Sequence, residues 1–375
     1  MPARSTADVR TLTLRDLNRA LLARQMLLER TRVPVATAVE QLGGLQAQWA
    51  PSPYVALWSR IAGFTREQLE TAIDRGDVVK GTLMRATLHL VSAREYAAYS
   101  LATLEGRFGA WRPPGGPAYD DLAEVHARVV RFATRIPRTR DEIRAHIAEH
   151  MPAHATDERL RNWLLWAAVA TSGLIWEPAG AHWDHRKLAR FVAAPAALRR
   201  PPSAEAAYDL VVRRHLGAFG PATVQDIATW SSMRVPHVRA ALARLPGLVR
   251  FTDERGRELF DLGDAPRPPA ERAAPARFLA RFDAAILGHA APERTRILPE
   301  AFRKQVIFSA EVWPTFLVDG FVAGRWRISS TRREAILELL PFRPLARADR
   351  TALIDEGERL ARFYAPEAAA HGVRA

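Results

Sequence analysis

The order of elements in this chain repeats, and the repeat constrains the fold more than any single motif does. Three helical segments are expected at Ala206 to Leu216, Val224 to Trp230 and Val235 to Leu245, followed by two strand-like runs, Leu248 to Thr252 and Glu258 to Leu262, around the polar turn Asp253 to Arg257. The start of the chain reads the same way. Thr13-Leu14-Arg15-Asp16 is a capping-box-like opening for a helix reaching about Arg30, and further helices are expected over Pro34 to Leu42, Tyr54 to Ile61 and Thr65 to Arg75. Val78 to Met84 and Thr87 to Val91 then form a hairpin around Arg85, and Ser92 with Glu95 opens a helix to about Phe108. In the middle, helices near Leu122 to Arg135, from Arg138 to about His150 and from Asp157 to Ala170 precede a hairpin over Leu174 to Trp183 that turns at Pro178 to Ala181.

Helices followed by a two-stranded wing are the pattern of a winged helix-turn-helix. Pro-rich stretches at Trp111 to Asp121, Ala193 to Ser203 and Asp264 to Pro275 divide the chain into blocks of 1–110, 120–193, 204–263 and 276–375. The last block differs. Phe278 to Leu287, Gln305 to Ser309, Thr315 to Val318 and Phe321 to Ser329 alternate as strands do, Asp319-Gly320 is a hairpin turn, and Asp349 to Tyr364 closes as a helix. The expected class is α+β: tandem winged helix-turn-helix domains with a small C-terminal antiparallel β-domain.

Charge narrows the partners. The 54 Lys and Arg against 41 Asp and Glu leave a net charge of +13, nearly all of it arginine, since Lys80, Lys187 and Lys304 are the three lysines. That surplus favours a polyanion, and the bidentate guanidinium suits phosphate and guanine edges, so the expected partner is nucleic acid. The absence of cysteine excludes disulfides, thiolate metal sites and a catalytic thiol, and fits a reducing cytosol. The N-terminal residues lack the apolar core of a leader, and the uncharged run Asn162 to Trp176 is too short to span a bilayer. A cytoplasmic, nucleoid-associated monomer without membrane contact is expected.

The stretch Gln41 to Ile61 holds the residues that look like chemistry, Gln46 and Gln48 flanking Ala47. Side chains two apart share a face of extended chain but lie roughly 200° apart on a helix, so a cooperating pair needs extended or turn geometry. Gly43 and Gly44 can end the preceding helix, while Pro51 and Pro53 bias Ala50 and Ser52 away from helical angles. Taken alone, the motif also describes a polar loop whose amides tie down backbone groups.

Gln46-Ala47-Gln48 with the following SPYVALWSRI resembles the Q-apolar-Q motif of the AlkZ and YcaQ family of winged-helix DNA glycosylases. Lys80 to Val91 resembles that family's R-x-T-L-H-L segment, Phe282 to Arg296 its FD-x-x-LLGH stretch, and VWPTFLVDGFVAGRWR its terminal hairpin. Glutamine at 48 places the chain with the AlkZ-like branch, YcaQ-like members carrying aspartate there. The resemblance implies a basic C-shape around double-stranded DNA, removal of N7-alkylated purines, unhooking of azinomycin-type interstrand crosslinks, no cofactor and no metal. It makes Gln46 and Gln48 the catalytic pair.

The chemistry agrees with that implication. Breaking the bond from C1′ to the base builds oxocarbenium character, and an amide oxygen can orient a water there but has no useful pKa. A site built on amides needs a leaving group already activated, as a cationic N7-alkylpurine is. With three lysines and none at a family catalytic position, a monofunctional enzyme is expected. Arg85 and His89 on the first wing, and Arg255, Arg257, Arg325 and Arg327 at hairpin tips or flanks, are the candidate DNA contacts; Trp49, Asp283 and His289 are candidate supports of the active centre. His182, Asp184 and His185 superficially suggest metal ligands but follow a turn, and no metal is expected. A winged-helix transcriptional regulator without catalysis is the alternative, and a silent lesion binder a third.

Overall fold

The computed structural model describes residues 10–150, 158–185 and 189–375. It is an α+β structure in which helices alternate with small sheets. The Leu14–Arg24 helix opens on a capping box, Asp16 N–H donating to the Thr13 hydroxyl while the Asp16 carboxylate accepts from Thr13 N–H. It stops at Arg24 instead of reaching Arg30, because Met26 turns left-handed at φ 54°.

Three sheets share one plan, two longer strands and a two-residue addition. In the first, Val78–Thr82 pairs antiparallel with Leu88–Ser92, to which Leu45–Gln46 adds. In the third block, Leu248–Asp253 pairs with Glu258–Leu262, and the distant Thr11–Leu12 adds in parallel. The middle sheet corrects an expectation. Leu174–Trp176 pairs with Arg190–Ala193, not with residues 181–183, and Arg138–Thr139 completes it. Pro178–Ala181 forms a single 3-10 turn whose exit, Ala181 to Trp183, is anchored elsewhere: Tyr54 donates its hydroxyl to the Ala181 carbonyl and Trp183 N–H donates to Glu70.

The last block carries a five-stranded sheet in the order Arg277–Leu279, Thr315–Val318, Phe321–Ser330, Glu334–Pro341, Ala370–Arg374. Asp319 and Gly320 make its tight turn with φ 44° and 82°. The sheet is not purely antiparallel, since Ala370–Arg374 adds in parallel to Glu334–Pro341, and neither of those strands is foreseen above. The Phe278 to Leu287 run is strand only to Leu279; Ala284–Leu287 is a short helix that Asp283 caps through Ala285 N–H. The Arg347–Tyr364 helix covers this sheet.

Packing crosses the Pro-rich boundaries. One core joins Leu21, Val79, Val212, Trp230, Leu279 and Val322, taking in the first, third and last blocks, while Val125, Ile143, Leu164 and Phe191 form a separate core in the second. Two buried ion pairs tie the joined blocks: Arg24 with Asp261 at 2.6 Å and Arg60 with Asp283 at 2.7 Å. No described helix is long and apolar enough to cross a membrane.

Candidate active site

Gly43 and Gly44 end the Val35–Gln41 helix at φ 73° and 87°, values open to glycine, and redirect the chain into the Leu45–Gln46 strand. Pairing of Gln46 with His89 and donation by Ala47 N–H to the Leu88 carbonyl at 2.7 Å keep the segment extended through Ala47. Pro51 then precedes the Ser52–Trp58 helix. Both glutamine oxygens are engaged. The Gln46 oxygen accepts from Arg85 Nη2 at 2.9 Å, and the Gln48 oxygen accepts from Leu88 N–H at 3.2 Å. Gln46 is 8% exposed, whereas Gln48 is open to solvent.

Gln48 and Trp49 stand at a cleft of about 550 Å³ that also takes Arg66 and Lys80 from the first block, Trp176 and Trp183 from the second, and Ser330 and Tyr364 from the last. Two of its three tryptophans are already faced by cations: Lys80 Nζ lies 3.9 Å from the Trp176 ring and the Arg66 guanidinium 3.7 Å from that of Trp183. Burial pushes the Lys80 amine down to about 8, and it donates to the Gly180 carbonyl at 3.1 Å. Asp184 and Glu367, also at the cleft, act on Arg66 and oppose the loss of charge that its burial favours. Sequence reasoning missed these residues because no local signal joins positions 66, 80, 176, 330 and 364.

The wing residues expected to face DNA turn inward. Arg85 and Ala86 adopt left-handed angles, φ 53° and 55°, which folds the tip of the first hairpin back. Arg85 N–H donates to Ser232 Oγ at 3.2 Å and Nη1 to the Trp230 carbonyl at 3.0 Å, so the half-buried side chain spends its donors inside the protein. His89 is 2% exposed and in contact with the Thr87 carbonyl at 3.1 Å through Nδ1; burial, then the Arg85 charge, pushes its pKa down to about 3. A neutral, enclosed imidazole offers no ionic contact to phosphate. Both residues therefore stand beside Gln46 with polar atoms engaged inside the protein.

Asp283 and His289 lie in the core, away from the cleft lining. Asp283 receives two donors from Arg60, and His289 Nε2 meets the Phe219 carbonyl at 2.9 Å. Arg257 is held by Asp253 and Glu293, and Arg327 by Glu338 across the strands. Arg325 lies within its strand near Trp313, not at a tip. Arg255 alone of these stands exposed at a tip, its side chain unpaired among the described residues. The turn beyond Ser330 exposes Arg332 and Arg333 near the cleft, and these were not among the expected contacts. His182 meets Asp74 at 2.8 Å, and no group of three or more candidate metal ligands occurs among the described residues.

The family model described as DNA glycosylase AlkZ-like matches residues 39–363, a span holding both glutamines and all of the cleft lining but Tyr364 and Glu367. The chain belongs to the AlkZ-like DNA glycosylases. A relative from Streptomyces sahachiroi, named an interstrand DNA cross-link repair glycosylase, is 27% identical over 360 residues, covering 91% of this chain and 94% of that protein. The solved structure of Streptomyces sahachiroi DNA glycosylase AlkZ superposes with a TM-score of 0.79 at 23% identity over 97% of this chain and 99% of that one, which speaks for the fold. For this glycosylase, then, the reaction class is hydrolysis of an N-glycosidic bond in DNA.

Proposed function

We propose that this glycosylase releases cationic N7-alkylpurines from double-stranded DNA, azinomycin-type interstrand crosslinks among them, with Gln46 and Gln48 as the catalytic pair. The observation that carries the reading is that Gln46 and Gln48 flank Ala47 on a chain kept extended through Ala47, with Gln48 opening on the aromatic cleft and Gln46 buried against Arg85. A carbonyl oxygen has two lone pairs, so each amide keeps one to orient a water at C1′ after accepting its protein donor. Amides so placed favour the oxocarbenium by their dipoles but cannot deprotonate strongly, which matches a substrate whose base is cationic before the enzyme acts. The named activity of the relative supports extending the substrate to crosslinks.

The same proposal takes the helix-and-sheet blocks as tandem winged helices arranged as a basic C-shape around the duplex, acting as a monomer in the cytoplasm. The net charge of +13 and the exposed Arg255, Arg332 and Arg333 support it. Family membership speaks against the non-catalytic regulator. The glycosylase is read as monofunctional, because Lys80, the one amine at the cleft among the described residues, is 5% exposed and covers Trp176. Efficient borohydride trapping of the protein on DNA overturns that point. Incubation with duplexes carrying N7-methylguanine, an azinomycin-type monoadduct or a crosslink, with identification of the released bases, tests the whole; operator binding without base release sinks it.

A further inference from the structure

We propose that Arg85 is a positioning residue for the reaction: it sets the orientation of the Gln46 amide and ties that amide to the third block. This rests on the reading of Gln46 as catalytic. A guanidinium carries donors only, so whatever approaches Arg85 Nη2 at 2.9 Å must be the oxygen of Gln46 and not its nitrogen. The same reasoning holds for Gln48, whose neighbour at 3.2 Å is the donor-only Leu88 N–H. Each amide oxygen is thereby fixed on one protein donor, which leaves its second lone pair for the water of the proposed reaction. Neither NH2 has a partner among the described residues. Gln48 takes its orientation from the backbone of the Leu88–Ser92 strand, whereas Gln46 takes its orientation from a side chain that a substitution can remove.

The rest of Arg85 explains how the guanidinium is aimed. Its second nitrogen donates to the carbonyl of Trp230, in the last turn of the Val224–Ser231 helix, where carbonyls lack intrahelical partners and a cation is favoured. Its backbone N–H is held by Ser232, itself left-handed at φ 62°. Two consecutive non-glycine residues, Arg85 and Ala86, occupy the sparsely populated left-handed region, and such strain persists where the surroundings over-determine it. The fork thus spans Gln46 in the first block and Trp230 in the third.

A double-mutant cycle tests this. Single-turnover release of N7-methylguanine is measured for the wild type, Arg85→Met, Gln46→Ala and the double variant, with duplex affinity measured in parallel. The expected result is that Arg85→Met slows release about tenfold to a hundredfold in the wild-type background, as loss of reactant orientation does. In the Gln46→Ala background it changes the rate by no more than about twofold, since the two residues act as one unit. Duplex affinity stays constant, and Arg85→Lys, which keeps a donor for Gln46, recovers part of the rate. Equal losses in both backgrounds, an unslowed Arg85→Met, or a loss confined to duplex affinity each overturn the proposal. Should Arg85→Met not fold, Arg85→Lys carries the cycle with the same criteria. A wild type that releases no base overturns the functional reading instead, so the two failures are distinguishable.

Discussion

The first and third sheets are built alike and used oppositely. Each is an antiparallel pair of strands with a two-residue strand added at the edge. In the third, the tip folds on itself: Asp253 accepts from the backbone N–H groups of Arg255 and Arg257, and Gly256 takes φ 73°, leaving Arg255 exposed. In the first, the tip residue Arg85 folds back into the protein and the added strand carries Gln46. One hairpin thus offers charge outward, while the other spends its charge on an amide. The lesson is that a hairpin's place in the chain does not decide its task; the direction its tip takes does.

The ion pairs that tie the first and third blocks to the last differ as well, and breaking them should give the largest effect. Arg60, which follows the Ser52–Trp58 helix, pairs with Asp283 where both side chains are at most 1% exposed. Asp283→Asn leaves a buried guanidinium without its counter-charge and should cost about 3–5 kcal/mol in denaturant unfolding. The matching anchor of the third sheet joins Glu293 to Arg257, whose side chain is 35% exposed. Glu293→Gln should cost only about 1 kcal/mol, since a solvent-screened pair contributes little. Equal losses would erase the proposed contrast between the buried and the screened anchor.

Next in size is the glutamine pair itself. Gln46→Ala and Gln48→Ala should each reduce N7-methylguanine release about a hundredfold, the scale expected when a positioned group is lost. Circular dichroism and duplex affinity should stay as in the wild type. Undiminished release by both variants removes the catalytic assignment and leaves the first sheet a scaffold like the third.

What could be read from the chain in advance follows the same division. The third block was legible because its signals are local: apolar periodicity marks its helices, and Asp253 to Arg257 closes a hairpin between alternating runs. The extended glutamine segment was legible because Gly43, Gly44 and Pro51 punctuate it. Arg85 was misread because its inward turn depends on Trp230 and Ser232, some 145 residues later, which no spacing rule reaches. The middle hairpin failed for a related reason: the strand that Leu174–Trp176 needs lies beyond the turn, at Arg190–Ala193. Ala370–Arg374 was missed because AHGVR has no alternation, its pairing being decided by the open edge of the neighbouring strand.

Acid should separate the sheets next. His89 has a folded pKa near 3 against 6.5 when free, so between these values the unfolded chain binds a proton that the folded chain refuses. Stability contributed by His89 is therefore full above about pH 6.5 and falls as the pH drops, by up to about 1.4 kcal/mol per pH unit. In the third sheet, burial alone would raise the Asp253 carboxyl, but hydrogen bonds from Arg257 and the tip backbone hold it below 3.8. Its stabilisation is present above that value and is lost only below it. Urea unfolding from pH 6.5 to 5 should lose part of its slope in His89→Gln and none in Asp253→Asn.

The smallest effect belongs to the outward tip. Arg255 has no side-chain partner in the described structure, so its removal leaves nothing unpaired and should not change stability. If it meets phosphate, Arg255→Ala weakens duplex binding about equally for all sequences and lowers the slope of log affinity against log salt by about one. Arg327→Ala serves as the counterpart, because Glu338 already neutralises that guanidinium and less counterion release is expected from it. Affinity measured across a salt series reads both at once. A slope unchanged by Arg255→Ala would mean that the third sheet keeps its tip off the DNA, and the outward charge would then have to be sought at Arg332 and Arg333, on the turn that borders the glutamine cleft.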